Sequence, residues 1–239
     1  IGTGEIDAVD VVGATEVHRI YLDHNATTPL DPAVRQAMVA VLESSLGNPS
    51  SIYREGKDAK FVIESARRSL ARLLNCTARR IIFTGSCTEA NNMVIKGLAS
   101  AHRGGSRREI ITTPTEHSAV IEPCRWLERF GFRVTFLPVD RTGQVDPADL
   151  SALIGPETLF VSVMMANNET GTIQPVRELA EIAHEHGALF HTDATQAIGK
   201  MPVDTGDLDV DLLTLSGHKI YGPKGVGALY MKKGMSIDP

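Results

Sequence analysis

The stretch Leu212–Gly227, LLTLSGHKIYGPKGVG, decides how the rest of the sequence is read. A short apolar run ends in Ser216, Gly217 and His218, Lys219 follows, and Gly222, Pro223, Gly225 and Gly227 then break the chain. This pattern puts Lys219 at the end of a buried strand, where ligands collect in open α/β sheets, and not on the polar face of a helix. Partial burial there lowers an amine's pKa and frees it to form a Schiff base. Alone, the run is also compatible with a loop lysine beside a glycine-rich turn, so the surrounding chain has to decide.

Outward from Lys219, strands and helices alternate. Asp211–Ser216 and Gly225–Met231 read as strands, and before them come the strands ALFHTDATQ (Ala188–Gln196) and TLFVSVMMA (Thr158–Ala166), with the helix VRELAEIAHEHG between. Further upstream are strands at Arg80–Thr84, Glu109–Thr113 and Phe132–Val139, and helices through MVIKGLASA and through Trp126 and Phe130. Asp146 and Pro147 start a short helix, Lys57–Leu74 forms a long one, and Asp31 and Pro32 mark the start of another. A short apolar strand is expected from Arg19, with Asn25–Thr28 in the loop after it. Such alternation with short connections predicts an α/β fold, a mainly parallel sheet with helices on both faces.

The 239 residues suit one large domain with an ample core. Lys plus Arg is 24 and Asp plus Glu 29, so the net charge of 24 − 29 = −5 argues against a nucleic-acid surface. Cys76, Cys87 and Cys124 are odd in number and contain no CxxC pair, which argues against a disulfide framework and a zinc ribbon and favours a reducing, cytoplasmic setting. Residues 1–19 carry acidic side chains where a signal peptide needs basic ones and are expected to form a loose tail. No apolar run approaches membrane-spanning length.

Polar residues follow the apolar run of nearly every strand: Thr88, His117, Asn168, Asp193 with Gln196, and His218 with Lys219. Gly85–Thr88, between a strand and a helix, forms an anion site at the helix N-terminus or a simple N-cap. His117 is a proton mover or a turn histidine. A lysine amine, an acid at Asp193 to keep a pyridine nitrogen protonated, a phosphate loop and a histidine at successive strand ends together match pyridoxal phosphate chemistry. His184, His186, His191 and Asp193 lie close in sequence, but His184 and His186 are two apart on a helix and face different ways, and HExxH is absent, so no metal site is expected.

Seven segments carry a resemblance: YLDHNATTPLDPAV, GNPSSIYREG, IIFTGSCTEANN, TEHSAV, NNETGTIQPV, HTDATQAIGK and SGHKIYGPKGVGALY. In this order they resemble the cysteine desulfurases of the NifS and IscS kind, in the class V aminotransferase family of fold type I pyridoxal phosphate enzymes. The resemblance implies the aspartate aminotransferase-like large domain over residues 20–239, with Lys219 as the Schiff-base lysine and Asp193 on the pyridine nitrogen. It implies that His117 stacks on the cofactor and assists proton transfer. Cys87 and Thr88 fall in the phosphate loop, Ser216 and His218 add contacts to the phosphate, Gln196 lies near the phenolic oxygen, and Asn168 meets cofactor and substrate. The loop reads GSC where many relatives have SGA or SGG.

Also implied are L-cysteine as substrate, a homodimer, and iron–sulfur scaffold or other sulfur-acceptor proteins as partners. The resembling enzymes carry a C-terminal small domain with the persulfide-forming cysteine. Here 239 − 219 = 20 residues follow the lysine, so that domain is expected to be missing, with residues about 20–45 packing against it. None of Cys76, Cys87 and Cys124 occupies the nucleophile's place. The alternatives are a selenocysteine lyase or another class V enzyme, and a catalytically silent cofactor-binding or partner-binding fragment.

Overall fold

The computed structural model describes residues 20–44 and 47–238. The tail expected at residues 1–19 lies outside them. Helix α1 (Pro32–Ser44) starts where Asp31 accepts the Ala33 N–H at 2.7 Å, the cap that Asp-Pro predicts. Helix α2 (Arg54–Leu73) follows, three residues longer at its start than its apolar spacing suggests. Then come β1 (Ile81–Thr84), α3 (Cys87–Ala101), β2 (Glu109–Thr112), α4 (Ser118–Glu128) and β3 (Arg133–Phe136). The second half comprises α5 (Pro147–Leu153), β4 (Thr158–Ser162), α6 (Val176–Glu185), β5 (Leu189–Asp193), the one-turn α7 (Thr205–Leu208), β6 (Leu212–Ser216) and β7 (Gly227–Met231).

The seven strands form one sheet in the order β1-β7-β6-β5-β4-β2-β3. All neighbours from β3 to β6 are parallel, and β7 is antiparallel to both β6 and β1. The reversal follows from length: only a single 3-10 turn and a short loop separate β6 from β7, so the chain turns back where a parallel partner needs a crossover. Because β1 is antiparallel to β7, it runs with β6, and the carboxyl ends of β1, β2, β4, β5 and β6 share one edge.

Two apolar layers cover the sheet. One joins Ala90, Val94, Ile95 and Leu98 of α3 and Val120 and Leu127 of α4 to Ile110, Phe160, Leu212 and Leu229. The other joins Leu74, Leu150 of α5 and Leu179 and Ala183 of α6 to Ile111, Val161, Phe190 and Leu213. Neighbouring residues of one strand thus go to opposite layers, as period two requires.

The strand expected from Arg19 does not form over the described part of its run, Ile20–Leu22. Ile20 and Leu22 are 77% and 85% exposed, and the edges of the sheet are β1 and β3. An apolar run becomes a strand only by pairing, and this one reaches neither edge. The run predicted as Thr158–Ala166 ends as a regular strand at Ser162, yet Val163 and Met165 still donate to the carbonyls of His191 and Asp193.

Candidate active site

A cavity of about 710 Å³ opens at the carboxyl edge of the sheet. All nine residues singled out in the sequence line it: Cys87, Thr88, His117, Asn168, Asp193, Gln196, Ser216, His218 and Lys219. They come from five strand ends, up to 132 positions apart (219 − 87).

Ser86 caps α3, its hydroxyl accepting the Glu89 N–H at 3.0 Å, while Glu89 accepts the Gly85 N–H at 2.7 Å. The N–H groups of Cys87 and Thr88 then have no carbonyl a turn earlier in the helix to bond, and with the helix dipole they offer an anion site. Gly227, first in β7, packs on this loop: a Cβ there would lie 2.4 Å from the Ser86 carbonyl carbon and 2.8 Å from the Cys87 nitrogen. Gly227→Ala is therefore expected to cost about 1–3 kcal/mol of stability through overpacking and to weaken pyridoxal phosphate binding by displacing the loop. Thermal melts and a cofactor titration of the variant check this.

His117 is both the cap of α4 and a cavity residue. Its Nδ1 accepts the Ala119 N–H at 3.1 Å, which leaves Nε2 to carry the ring proton in the neutral form. Asn168 donates to Glu169 at 2.6 Å and its carbonyl accepts from Asn25, whereas the buried neighbour Asn167 accepts the N–H groups of Glu169 and Thr170 and shapes the turn.

Asp193 is buried at the end of β5. Its carboxylate accepts Asn91 Nδ2 at 2.8 Å and the Thr195 N–H at 2.9 Å, and Cys87 Sγ lies 3.5 Å away. Gln196 donates to the Asn25 carbonyl at 2.9 Å and accepts from Lys200.

Lys219 stands on a 3-10 turn directly after β6. Its Nζ donates to the carbonyls of Asn25 and, at 2.7 Å, Ala26. Burial, helped by the nearby charge of Lys200, holds its pKa below the ordinary lysine value. His218 is lowered as well, by burial and then by Lys219 and Lys224. The loop around Asn25 is latched over the turn: Thr28 donates to the His218 carbonyl at 2.9 Å, Thr27 pairs with His218 Nδ1 at 3.0 Å, and Thr28 Oγ1 accepts the Tyr221 N–H at 2.7 Å.

The histidines weighed for a metal lie apart. His184 bonds Asp211 at 2.8 Å, His186 bonds the Ile182 carbonyl, and His191 lies inside the sheet.

Sequence reasoning passed over two parts of this site and a buried carboxyl next to it. Asp23, Asn25 and Ala26 line the cavity, but nothing local ties them to a lysine almost 200 residues on. Asn91 reads as an ordinary polar helix residue. Glu116, beside His117, is fully buried: Oε1 accepts the Met164 N–H at 2.6 Å and Oε2 has no partner among the described residues. Burial first, then the charge of Asp193, pushes its pKa up to about 8. The folded state thus keeps a proton that the unfolded chain loses above its ordinary 4.5, so stability falls as pH rises from about 4.5 through 8. Glu116→Gln is expected to flatten that fall, worth on the order of a few kcal/mol, in melts from pH 5 to 8. Equal pH slopes in both proteins would contradict it.

The sequence pattern of the class-V aminotransferases matches residues 20–237. The chain belongs to the class-V aminotransferase family. It is 50% identical over 220 residues to the cysteine desulfurase IscS of Dictyoglomus turgidum, covering 92% of this chain and 56% of that protein. To the human cysteine desulfurase it is 46% identical over 229 residues, 94% of this chain and 50% of the other. Among solved structures, a NifS-like protein superposes with a TM-score of 0.90 at 41% identity, covering 92% of this chain and 61% of that one. SspA in complex with cysteine does so with 0.88 at 37%, covering 92% and 63%. The chain spans about half the length of the desulfurases it matches.

Pyridoxal phosphate is the cofactor of this class-V family. The cavity fits it on chemical grounds: an amine bonded only to carbonyls, a helix N-terminus with free N–H groups, and a buried carboxylate lie around one volume of suitable size.

Proposed function

We propose that this chain is the cofactor-binding large domain of a cysteine desulfurase, whose whole form converts L-cysteine to L-alanine and passes the sulfur to a thiol as a persulfide. The observation that carries the reading is Lys219 and Asp193 on adjacent strand ends of one cavity, the lysine held below its ordinary pKa. In the overall reaction a thiol attacks the substrate sulfur, the Cβ–S bond breaks and carbon takes a proton: thiol plus cysteine gives persulfide plus alanine.

When bound, the cofactor supplies an electron sink for the substrate's Cα. Lys219 Nζ would hold its aldehyde and, as a free amine, would take up the proton from Cα. Asp193 would hold the proton of the ring nitrogen, and the α3 N-terminus would bind the phosphate. His117, its Nδ1 committed to Ala119, presents Nε2 to hold or deliver a proton. Asn168, Gln196, Ser216 and His218 complete the contacts to cofactor and substrate.

None of the three thiols suits the sulfur-accepting role. Burial raises all of them: Cys76 moderately, Cys87 well above the ordinary value with help from Asp193, and Cys124 to about 12. The family's C-terminal domain would supply that thiol. Met38, Val39 and Leu42 of α1 and Phe61, Val62 and Ile63 of α2 are exposed apolar residues, which supports residues about 20–45 packing against that domain and α2 against a second subunit in a homodimer. Iron–sulfur scaffold proteins are the proposed sulfur acceptors. No helix among the described residues is long and apolar enough to cross a membrane, and free cysteines support a reducing, cytoplasmic compartment.

Pyridoxal phosphate and then L-cysteine, with alanine and sulfide assayed, test the reading. A visible cofactor band without sulfur release by this chain is expected. No band would overturn the reading, and fast turnover would overturn the assignment of the thiol to another domain.

A further inference from the structure

Behind Asp193 the sheet buries a line of polar side chains that the cofactor reading leaves unused. Asn91 of α3, Thr214 of β6, His191 of β5 and Ser162 of β4 are all fully buried. Asn91 Nδ2 lies 2.8 Å from Asp193 Oδ2, and Thr214 Oγ1 lies 2.5 Å from Asn91 Oδ1. His191 Nε2 is 3.2 Å from Thr214 Oγ1, and Ser162 Oγ is 2.8 Å from His191 Nδ1. Strand register fixes the line, since Ser162 pairs with His191 and Asp193 with Thr214.

The direction of each bond follows by elimination. A carboxylate only accepts, so the Asn91 amide turns Nδ2 to Asp193 and leaves Oδ1 for Thr214. The Thr214 hydroxyl then donates to Oδ1 and must accept from His191 Nε2–H. Burial pushes His191 down to about 4, so at pH 7 the ring is neutral and Nδ1 is bare, accepting the Ser162 hydroxyl. Every proton is therefore given in the same direction, from β4 across the sheet to Asp193.

Four polar side chains at core positions cost stability against aliphatic ones, and a network in which each member is satisfied returns a single fixed geometry. We propose that Ser162, His191, Thr214 and Asn91 form a one-way hydrogen-bond relay that fixes the Asp193 carboxylate against the cofactor's ring nitrogen, with Asn91 as the positioning residue in direct contact. The purpose of the relay rests on the cofactor reading above; its existence does not.

The test uses Thr214→Val, which keeps the volume and removes the hydroxyl, and Thr214→Ser, which restores it. In ¹⁵N-histidine-labelled protein without cofactor, His191 is expected as the Nε2–H tautomer in the parent and in Thr214→Ser, and to lose that preference in Thr214→Val. Thr214→Val is expected to raise the Kd for pyridoxal phosphate about tenfold, the loss of one hydrogen bond's support to a charged group, and Thr214→Ser to stay within about twofold. Should Thr214→Val fail to fold, Ser162→Ala removes the donor to Nδ1: His191 is expected to stay the Nε2–H tautomer, because Thr214 still accepts that proton, while its Nδ1 resonance moves to that of an unbonded nitrogen and cofactor binding weakens. An Nδ1–H tautomer in the parent overturns the relay. A broken relay with unchanged cofactor affinity overturns its positioning role. Failure of the parent to take up pyridoxal phosphate overturns the cofactor reading separately, because the tautomer is read without it.

Discussion

Lys219→Ala is expected to abolish the visible absorption band that the parent develops with pyridoxal phosphate. The amine is the one set at the strand end of the cavity: it follows β6 directly, bonds only to the carbonyls of Asn25 and Ala26, and is held below its ordinary pKa by burial. Burial thus brings the neutral amine within easier reach than it is for an exposed lysine. Lys200 and Lys224 are the alternatives. Lys200 is committed to Gln196 and Asn25 and does not line the cavity, while Lys224 lines its rim beyond the turn. The fold should survive, since Lys219 lies outside both apolar layers, so phosphate-anchored, non-covalent cofactor binding persists in the variant. Loss of the band with an unchanged melting temperature is the expected result; a band that persists moves the chemistry to another lysine.

Asp193→Asn carries the second large effect. The substitution keeps the size but leaves one acceptor oxygen where the carboxylate used Oδ2 for Asn91 and Oδ1 for the Thr195 N–H, so one of the two bonds is lost along with the charge proposed to face the ring nitrogen. In the whole enzyme, turnover is expected to fall by about 10²–10³-fold, the usual cost of one preorganised electrostatic partner, while cofactor uptake changes far less. The variant has a second signature in this chain alone. Burial is the main cause of the raised Cys87 pKa, and the charge of Asp193 is the next. Removing that charge is expected to lower the pKa and speed alkylation of Cys87 at pH 8 to 9, with the partly exposed Cys76, whose shift comes from burial and Arg80, as the unchanged internal control. Equal Cys87 rates in both proteins would show that the carboxylate does not reach the thiol.

Much of this was legible in the sequence because the fold turns local order into spatial convergence. A parallel sheet brings the residue after each strand to one edge, so Thr88, His117, Asn168, Asp193 and Lys219 could each be found from an apolar run and its polar end. What stayed hidden depends on contacts between distant segments. Asn91 reaches Asp193 over 102 positions and Asn25 reaches Lys219 over 194, and neither has a local pattern to announce it. Ile20–Leu22 failed in the opposite sense, an apolar run without a free sheet edge. The relay through His191 was invisible for a related reason: alternation marks a residue as inward but does not name its partner. His191 was legible only as a histidine near an aspartate, which suggested a metal as readily as a hydrogen-bonded chain.

The most direct measurement is to load the chain with pyridoxal phosphate, reduce with borohydride, and map the modified residue by peptide mass spectrometry. The account predicts a single pyridoxyl group on Lys219. A group on Lys200 or Lys224, or none, would contradict it.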